Sequence, residues 1–188
     1  MNNYLITKPA REPITLQQAK DHLNIDFNDD DALIEMIITA AREAVENYTG
    51  RILITSTRGH QRDCLDDVIE LPHTAQSVTS IKYIDADGAT QTLAQTEYDL
   101  DVNRTPARIT RGYDKTYPSV RNTHNAVTIT YVSGYGDNAQ DVPAPLKSAM
   151  LLLIGHFYEN REATAPISIT EVPMATSYLI KPYRIYTL

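Results

Sequence analysis

The 188-residue sequence contains one cysteine, Cys64. That excludes an intramolecular disulfide and any zinc site built on several cysteines. A lone thiol reads first as a small buried apolar residue and only then as a nucleophile, so Cys64 is expected inside the fold. Long apolar runs are missing too. The longest, residues 149–155, falls far short of the roughly 20 residues that a bilayer span needs, and no membrane partner is expected. The opening MNNYLITKPARE lacks the apolar core of a signal peptide. The expectation is a protein made and kept in a cytoplasm, or in something assembled there. The phosphate-cradling GxxxxGKS/T loop, the GxGxxG turn and the HExxH helix are all absent. The histidines at 22, 60, 73, 124 and 156 never pair at helical ligand spacing. The chain is therefore not read as an enzyme, and no catalytic residue, cofactor or metal is expected.

Positive charge is in short supply. Lys and Arg number 17 against 24 Asp and Glu, a net −7. A duplex-binding domain usually shows a basic excess, so the balance argues against general DNA binding. The charge is uneven: residues 1–100 hold 8 basic and 17 acidic side chains, residues 101–188 hold 9 and 7. With 42% hydrophobic and 22% charged residues, the composition is that of a globular protein and excludes wholesale disorder or a collagen-like repeat.

Helical signals stand at both ends. Thr15 precedes Gln18 by three residues, a capping box, and Leu16, Ala19 and Leu23 follow at helical spacing. Asp29, Asp30 and Asp31 supply N-cap and first-turn carboxylates to a second helix, whose stripe runs Leu33, Ile34, Ile37, Ile38, Ala41, Val45 and Tyr48. Gly50 stands where a left-handed C-terminal cap belongs. A third helix is predicted from Pro143 to about Arg161, apolar round most of its circumference. Such a helix is either the centre of a bundle or has a side awaiting another subunit, for which Leu151, Leu152, Ile154 and His156 are the candidates. Between them, residues 51–132 show period-two runs such as Val127, Ile129 and Tyr131. These predict about six short, mostly antiparallel strands, with Asp87-Gly88 as a hairpin turn and 103–125 as the least regular piece.

The predicted fold is α+β: a helical bundle of two N-terminal helices and one long C-terminal helix, with an inserted antiparallel β domain and an extended C-terminal tail. The boundaries are 1–50 with 142–162 for the helical core, 51–141 for the β domain and 163–188 for the tail. The tail holds prolines at 166, 173 and 182 and room for one short helix after Pro173. Deletion of residues 171–188 is expected to leave the core folded.

Three clusters could carry chemistry. Asp26 with Asp29 to Asp31 offers oxygen ligands to a hard cation, but capping and solvation explain the same residues. Asp85 and Asp87 begin like a calcium loop that Ala89 and Thr90 break. Arg104, Arg108, Arg111, Lys115 and Arg121, interleaved with Tyr113 and Tyr117, are candidates for contact with nucleic acid or a neighbouring subunit. The competing reading pairs those charges with the acidic first half.

Four stretches together resemble the head–tail connector (head-completion or adaptor) family of tailed bacteriophages, in its longer members with a β insertion. They are ITLQQAKDHLNIDFNDDDALIEMIITAAREAVENYTGR at 14–51, IELPHTAQSVTSIKYIDADGATQTL at 69–93, YVSGYGDNAQDVPAPLKSAMLLLIGHFYENRE at 131–162 and EVPMATSYLIKPYR at 171–184. The resemblance implies a structural protein of the virion neck. It would form a ring, expected to be dodecameric, under the capsid portal, extend the DNA channel and offer a docking surface to a stopper or tail protein. It implies as partners the chain itself, the portal protein, a stopper or tail-completion protein and passing genomic DNA without sequence specificity. It places a portal or neighbour interface at Pro173, Leu179, Ile180, Pro182, Tyr183 and Arg184. A DNA-contacting module of the packaging apparatus is the alternative.

Overall fold

The first helix starts at its predicted cap. The computed structural model describes residues 2–160 and 174–186. In it α1 spans Leu16–Leu23. The Gln18 N–H donates to Thr15 Oγ1 at 3.2 Å, and the Thr15 N–H donates to Gln18 Oε1 at 3.0 Å, so two N–H groups without helical partners are satisfied. Helix α2 spans Asp31–Thr49 and stops at Gly50, whose φ of 71° is the left-handed conformation a cap of this kind requires. Its other end departs from expectation. Asp30 occupies the N-cap position without a side-chain cap bond. Its carboxylate instead accepts from the Tyr158 hydroxyl at 2.5 Å, and Asp31 pairs with the buried Lys20 at 2.7 Å. Partners brought by the tertiary fold turn these carboxylates away from capping.

Helix α3 spans Ala144–Glu159, and α4 spans Met174–Ile180, followed by a 3₁₀ turn at Lys181–Tyr183. Residues 10–54 and the described part of 135–186 form one unit. Its core takes Ile34, Ile37, Ile38, Ala41 and Val45 from α2 and Leu146, Ala149, Met150, Leu153 and Ile154 from α3. Helices α2 and α3 pack together, as the apolar stripes predict, and α4 packs on α3. Ile180 is buried in this core at 1% exposure, with Leu179 and Tyr183 against it. The segment 174–186 is thus part of the helical unit, not a separate arm, because it carries apolar side chains that the α3 surface covers. Residues 163–173 of the predicted tail, Pro166 among them, lie outside the described residues.

The second unit contains residues 2–9 and 55–134. Its strands are β1 (Asn2–Thr7), β2 (Ser56–Arg62), β3 (Val68–Glu70), β4 (Ala75–Ile84), β5 (Thr90–Thr92), β6 (Tyr98–Asp101), β7 (Arg108–Arg111) and β8 (Val127–Ser133). They form a five-stranded sheet, β1-β2-β8-β4-β5, and a three-stranded sheet, β3-β7-β6, with every pairing between strands antiparallel. The buried residues include Ile69, Leu71, Ile81, Ile109, Val127, Ile129 and Tyr131. The Asp87-Gly88 turn joins β4 and β5, with Gly88 at φ 90°. The Asp87 and Ala89 N–H groups donate to Asp85 Oδ1 at 3.1 and 2.8 Å. Asp85 is therefore a turn residue, its carboxyl held below the usual range first by the Gln91 amide and then by the Ala89 N–H.

Two expectations fail here. Residues 2–7 are a strand rather than part of the helical core. Nothing local specifies it: β1 shows no clean alternation of exposure, and its pairing with β2 is a long-range event. The Tyr4 ring lies over Gly59, its register partner, where any Cβ would come within 2.4 Å of Tyr4 Cζ. Cys64 is exposed rather than buried, because it lies in the link between β2 and β3. Its Sγ donates to Asp66 Oδ1 at 3.3 Å, a bond that favours the thiol and raises its pKa.

Candidate interaction site

The C-terminal segment meets the end of α2. The Ile185 N–H donates to the Thr49 carbonyl at 2.7 Å, and Arg51 Nε donates to the Tyr183 carbonyl at 2.5 Å. The Arg184 guanidinium sits 5.2 Å from the Tyr48 ring centroid and 5.4 Å from that of Tyr186, a cation between two aromatic faces. The YTGR stop of α2 and the PYR segment, far apart in sequence, are one structural joint. This revises the predicted interface. Ile180 is buried, and Leu179 and Tyr183 pack on the core, so these three are engaged within the chain. Pro182 and Arg184 remain on the surface. Pro173 lies outside the described residues.

The candidates on α3 divide in the same way. Ile154 is fully buried in its own unit, and Leu151 packs against that core, because α4 and α2 already cover those faces. Leu152 is half-buried and outside the core cluster. His156 is half-buried beside Phe157, ring centroids 6.0 Å apart, and its carbonyl takes the Asn160 N–H at 3.0 Å. Of the four candidates on this helix, Leu152 and His156 are the two that the helical core does not take up.

The basic residues 104–121 do not form a free cationic patch. Arg104 faces Glu70 at 3.5 Å, Arg108 faces Asp101 at 3.7 Å, Arg111 faces Asp67 at 3.4 Å and Lys115 faces Glu97 at 3.2 Å. The register of the small sheet is the cause, since it sets Glu70 and Asp101 on either side of Arg108. Arg121 lays a guanidinium nitrogen over Gly88, where a Cβ would be 2.4 Å away. The aromatics separate as well: Tyr113 is 96% exposed at a turn, while Tyr117 packs on the β core.

Among the described residues, no three His, Cys, Asp or Glu side chains gather as a metal site would require, and Asp30 and Asp31 are engaged as described above. Two clusters escaped the sequence reading. Buried Arg42 takes Glu46 and Glu12, each at 2.8 Å, and Glu46 Oε1 accepts the Leu53 N–H at 2.9 Å. Burial opposes the Arg42 charge, but these carboxylates outweigh it and raise its pKa. The pair sits at i, i+4, which was the available signal. The second cluster, on β2, gave none, since STRGHQR has polar residues on both faces.

The sequence model of a family described as phage gp6-like head-tail connector protein matches residues 13–103 and 115–184. The chain belongs to this family. It is a family of structural connectors, not of enzymes. The unmatched residues 104–114 contain Arg104, Arg108 and Arg111, so three of the five basic candidates fall outside the shared pattern. Solved structures share the connector's α+β fold. A chain from the neck of an empty GTA particle, computed with C6 symmetry, matches with a TM-score of 0.83 at 22% identity, covering 100% of this chain and 97% of that one. A chain from the virion of a native gene transfer agent (GTA) particle matches at 0.80 and 23% identity, with the same coverage. A chain from the neck of the native particle, computed with C12 symmetry, matches at 0.80 and 24%, again with that coverage. Among curated proteins nothing matches.

Proposed function

We propose that this connector is a neck component of a virion, forming a ring, dodecameric in number, beneath the capsid portal. The ring extends the DNA channel and gives a stopper or tail protein a surface to dock on. The observation that carries the reading is the family match along nearly the whole chain. It is supported by the same fold in a neck solved with C12 symmetry. A ring needs two different faces per subunit, and half-buried Leu152 and His156 and exposed Arg184 are features from which one could be built. The net charge of −7 suits a channel that DNA slides through without being gripped.

Light scattering and negative-stain imaging, on the protein alone and with portal rings, test the proposal. Rings on the portal with countable symmetry are expected. A chain that stays monomeric and ignores portal rings at tens of micromolar would refute it. The alternative, a DNA-contacting module built on residues 104–121, is disfavoured by the carboxylate opposite four of its five cations.

A further inference from the structure

The core-facing side of the five-stranded sheet is apolar along β8 and β4, where Val127, Ile129, Tyr131 and Ile81 lie. Along β2 the same side turns polar. Ser56, Arg58, His60 and Arg62 are the register partners of Ser133, Tyr131, Ile129 and Val127, and partners on antiparallel strands share a face. Strand β1 adds Leu5 opposite Arg58 and Asn3 opposite His60. No described residue of β1 or β2 belongs to the apolar core. Yet His60 is only 3% exposed. Both its ring nitrogens, and the Nε atoms of Arg58 and Arg62, are buried with no hydrogen-bond partner among the described residues. Native interiors leave few such groups, and a cluster of them calls for a reason.

The neighbouring groups are already spent. The Tyr131 hydroxyl donates to Asn3 Oδ1 at 3.3 Å, Asn3 Nδ2 donates to His73 Nε2 at 2.7 Å, and Arg62 is paired with Asp66. Most unmet positions are N–H donors, so what the cluster lacks is an acceptor. The charge is equally specific. Asp66 neutralises Arg62. Burial, with Arg62 and His73 adding to it, pushes the His60 pKa down to about 4, so that ring is neutral at pH 7. Arg58 remains, facing no carboxylate among the described residues. One unbalanced guanidinium with a free Nε–H edge matches a monocarboxylate, whose two oxygens accept the parallel bonds of the fork. A doubly charged phosphate fits one positive charge less well. The edge of the cluster reaches solvent: Asn3, Arg58 and His73 are half-buried and Leu5 is 41% exposed.

We propose that Arg58, with His60 and the Asn3–His73–Tyr131 chain around it, binds the carboxylate of an Asp or Glu side chain from a neighbouring copy of this protein. The identity of the donor rests on the ring assembly proposed above. The chain carries a surplus of carboxylates, and Asp26, Asp29, Asp87 and Asp114 are exposed with no ion pair among the described residues. In a ring the surface offering the carboxylate and the surface accepting it lie on different faces of each subunit.

The test has two arms, both on the full chain. In the first, sodium acetate is titrated against sodium chloride at equal ionic strength, followed by NMR of the His60 and Asn3 side chains. Saturable shifts with acetate are expected, weakened about tenfold or more in Arg58→Lys, which keeps the charge but loses the Nε–H edge. Asn3→Ala, at the rim, gives the same reading with little risk to folding. An equal response to chloride, or an unchanged response in Arg58→Lys, overturns the site. In the second arm, sedimentation compares self-association of the wild type and Arg58→Lys, alone and on portal rings. Association weakened about tenfold supports the neighbouring copy as donor, and unchanged association overturns it. A wild type that never associates refutes the ring and with it that donor, while the acetate arm decides the site independently.

Discussion

Acidification tests the buried histidine most directly. His60 is 3% exposed, and its pKa falls from 6.5 to about 4. Because the folded value lies below the unfolded one, the stability contribution is complete above pH 6.5. It is lost as pH falls toward 4, where the unfolded chain has taken a proton that the folded chain refuses. At about 1.4 kcal/mol per pH unit the upper bound is about 3 kcal/mol. Screening through half-buried Arg58 and Arg62 reduces this to about 2 kcal/mol. The perturbation is His60→Leu, which keeps a side chain of similar size beside Ile129 and removes the titration. Denaturant unfolding at pH 7, 6, 5 and 4.5, at concentrations that keep the protein monomeric, gives the difference between variant and wild type. Carboxylates titrating in the same range are common to both proteins and cancel. The variant is expected to lose about 2 kcal/mol less than the wild type between pH 7 and 4.5. Parallel losses would refute the argument and show that His60 protonates freely in the folded state.

Glu46→Ala removes the carboxylate shared by Arg42 and the Leu53 N–H. It leaves a buried cation partly paired, so the helical unit should lose about 3–5 kcal/mol in urea unfolding, with a smaller loss when Arg42→Leu is added. Gly59→Ala drives the Tyr4 ring off the strand. Hydrogen exchange at the β1–β2 pairing should quicken while global stability changes by less than about 1 kcal/mol, since β1 is an edge strand. Arg184→Ala removes the stacking on Tyr48 and Tyr186 at a cost of about 1 kcal/mol. A truncation before Met174 should cost several kcal/mol, because it takes Ile180 out of the core, and thermal unfolding distinguishes the two.

What was legible in the sequence was local. The capping box at Thr15 and Gln18, the α2 stripe ending at Gly50 and the Asp87-Gly88 turn each depend on residues within a few positions, and they appear as read. The family was legible for a related reason: each of the four stretches that carry the resemblance is a run of neighbouring residues, and all four lie within the matched segments 13–103 and 115–184. Long-range pairing decided the rest. Strand β1 exists because β2 accepts it, and the YTGR and PYR segments gain meaning only once α3 and α4 bring them together. The basic loop looked cationic in one dimension, yet in three dimensions four of its five cations face a carboxylate, and sheet register sets Glu70 and Asp101 beside Arg108. Cysteine scarcity excluded disulfides from composition alone, while the exposure of Cys64 depended on where a loop ran. Periodicity and caps are short-range physics that the sequence carries by itself. Burial, charge pairing and the unmet donors of β2 are sums over neighbours that only the folded chain defines.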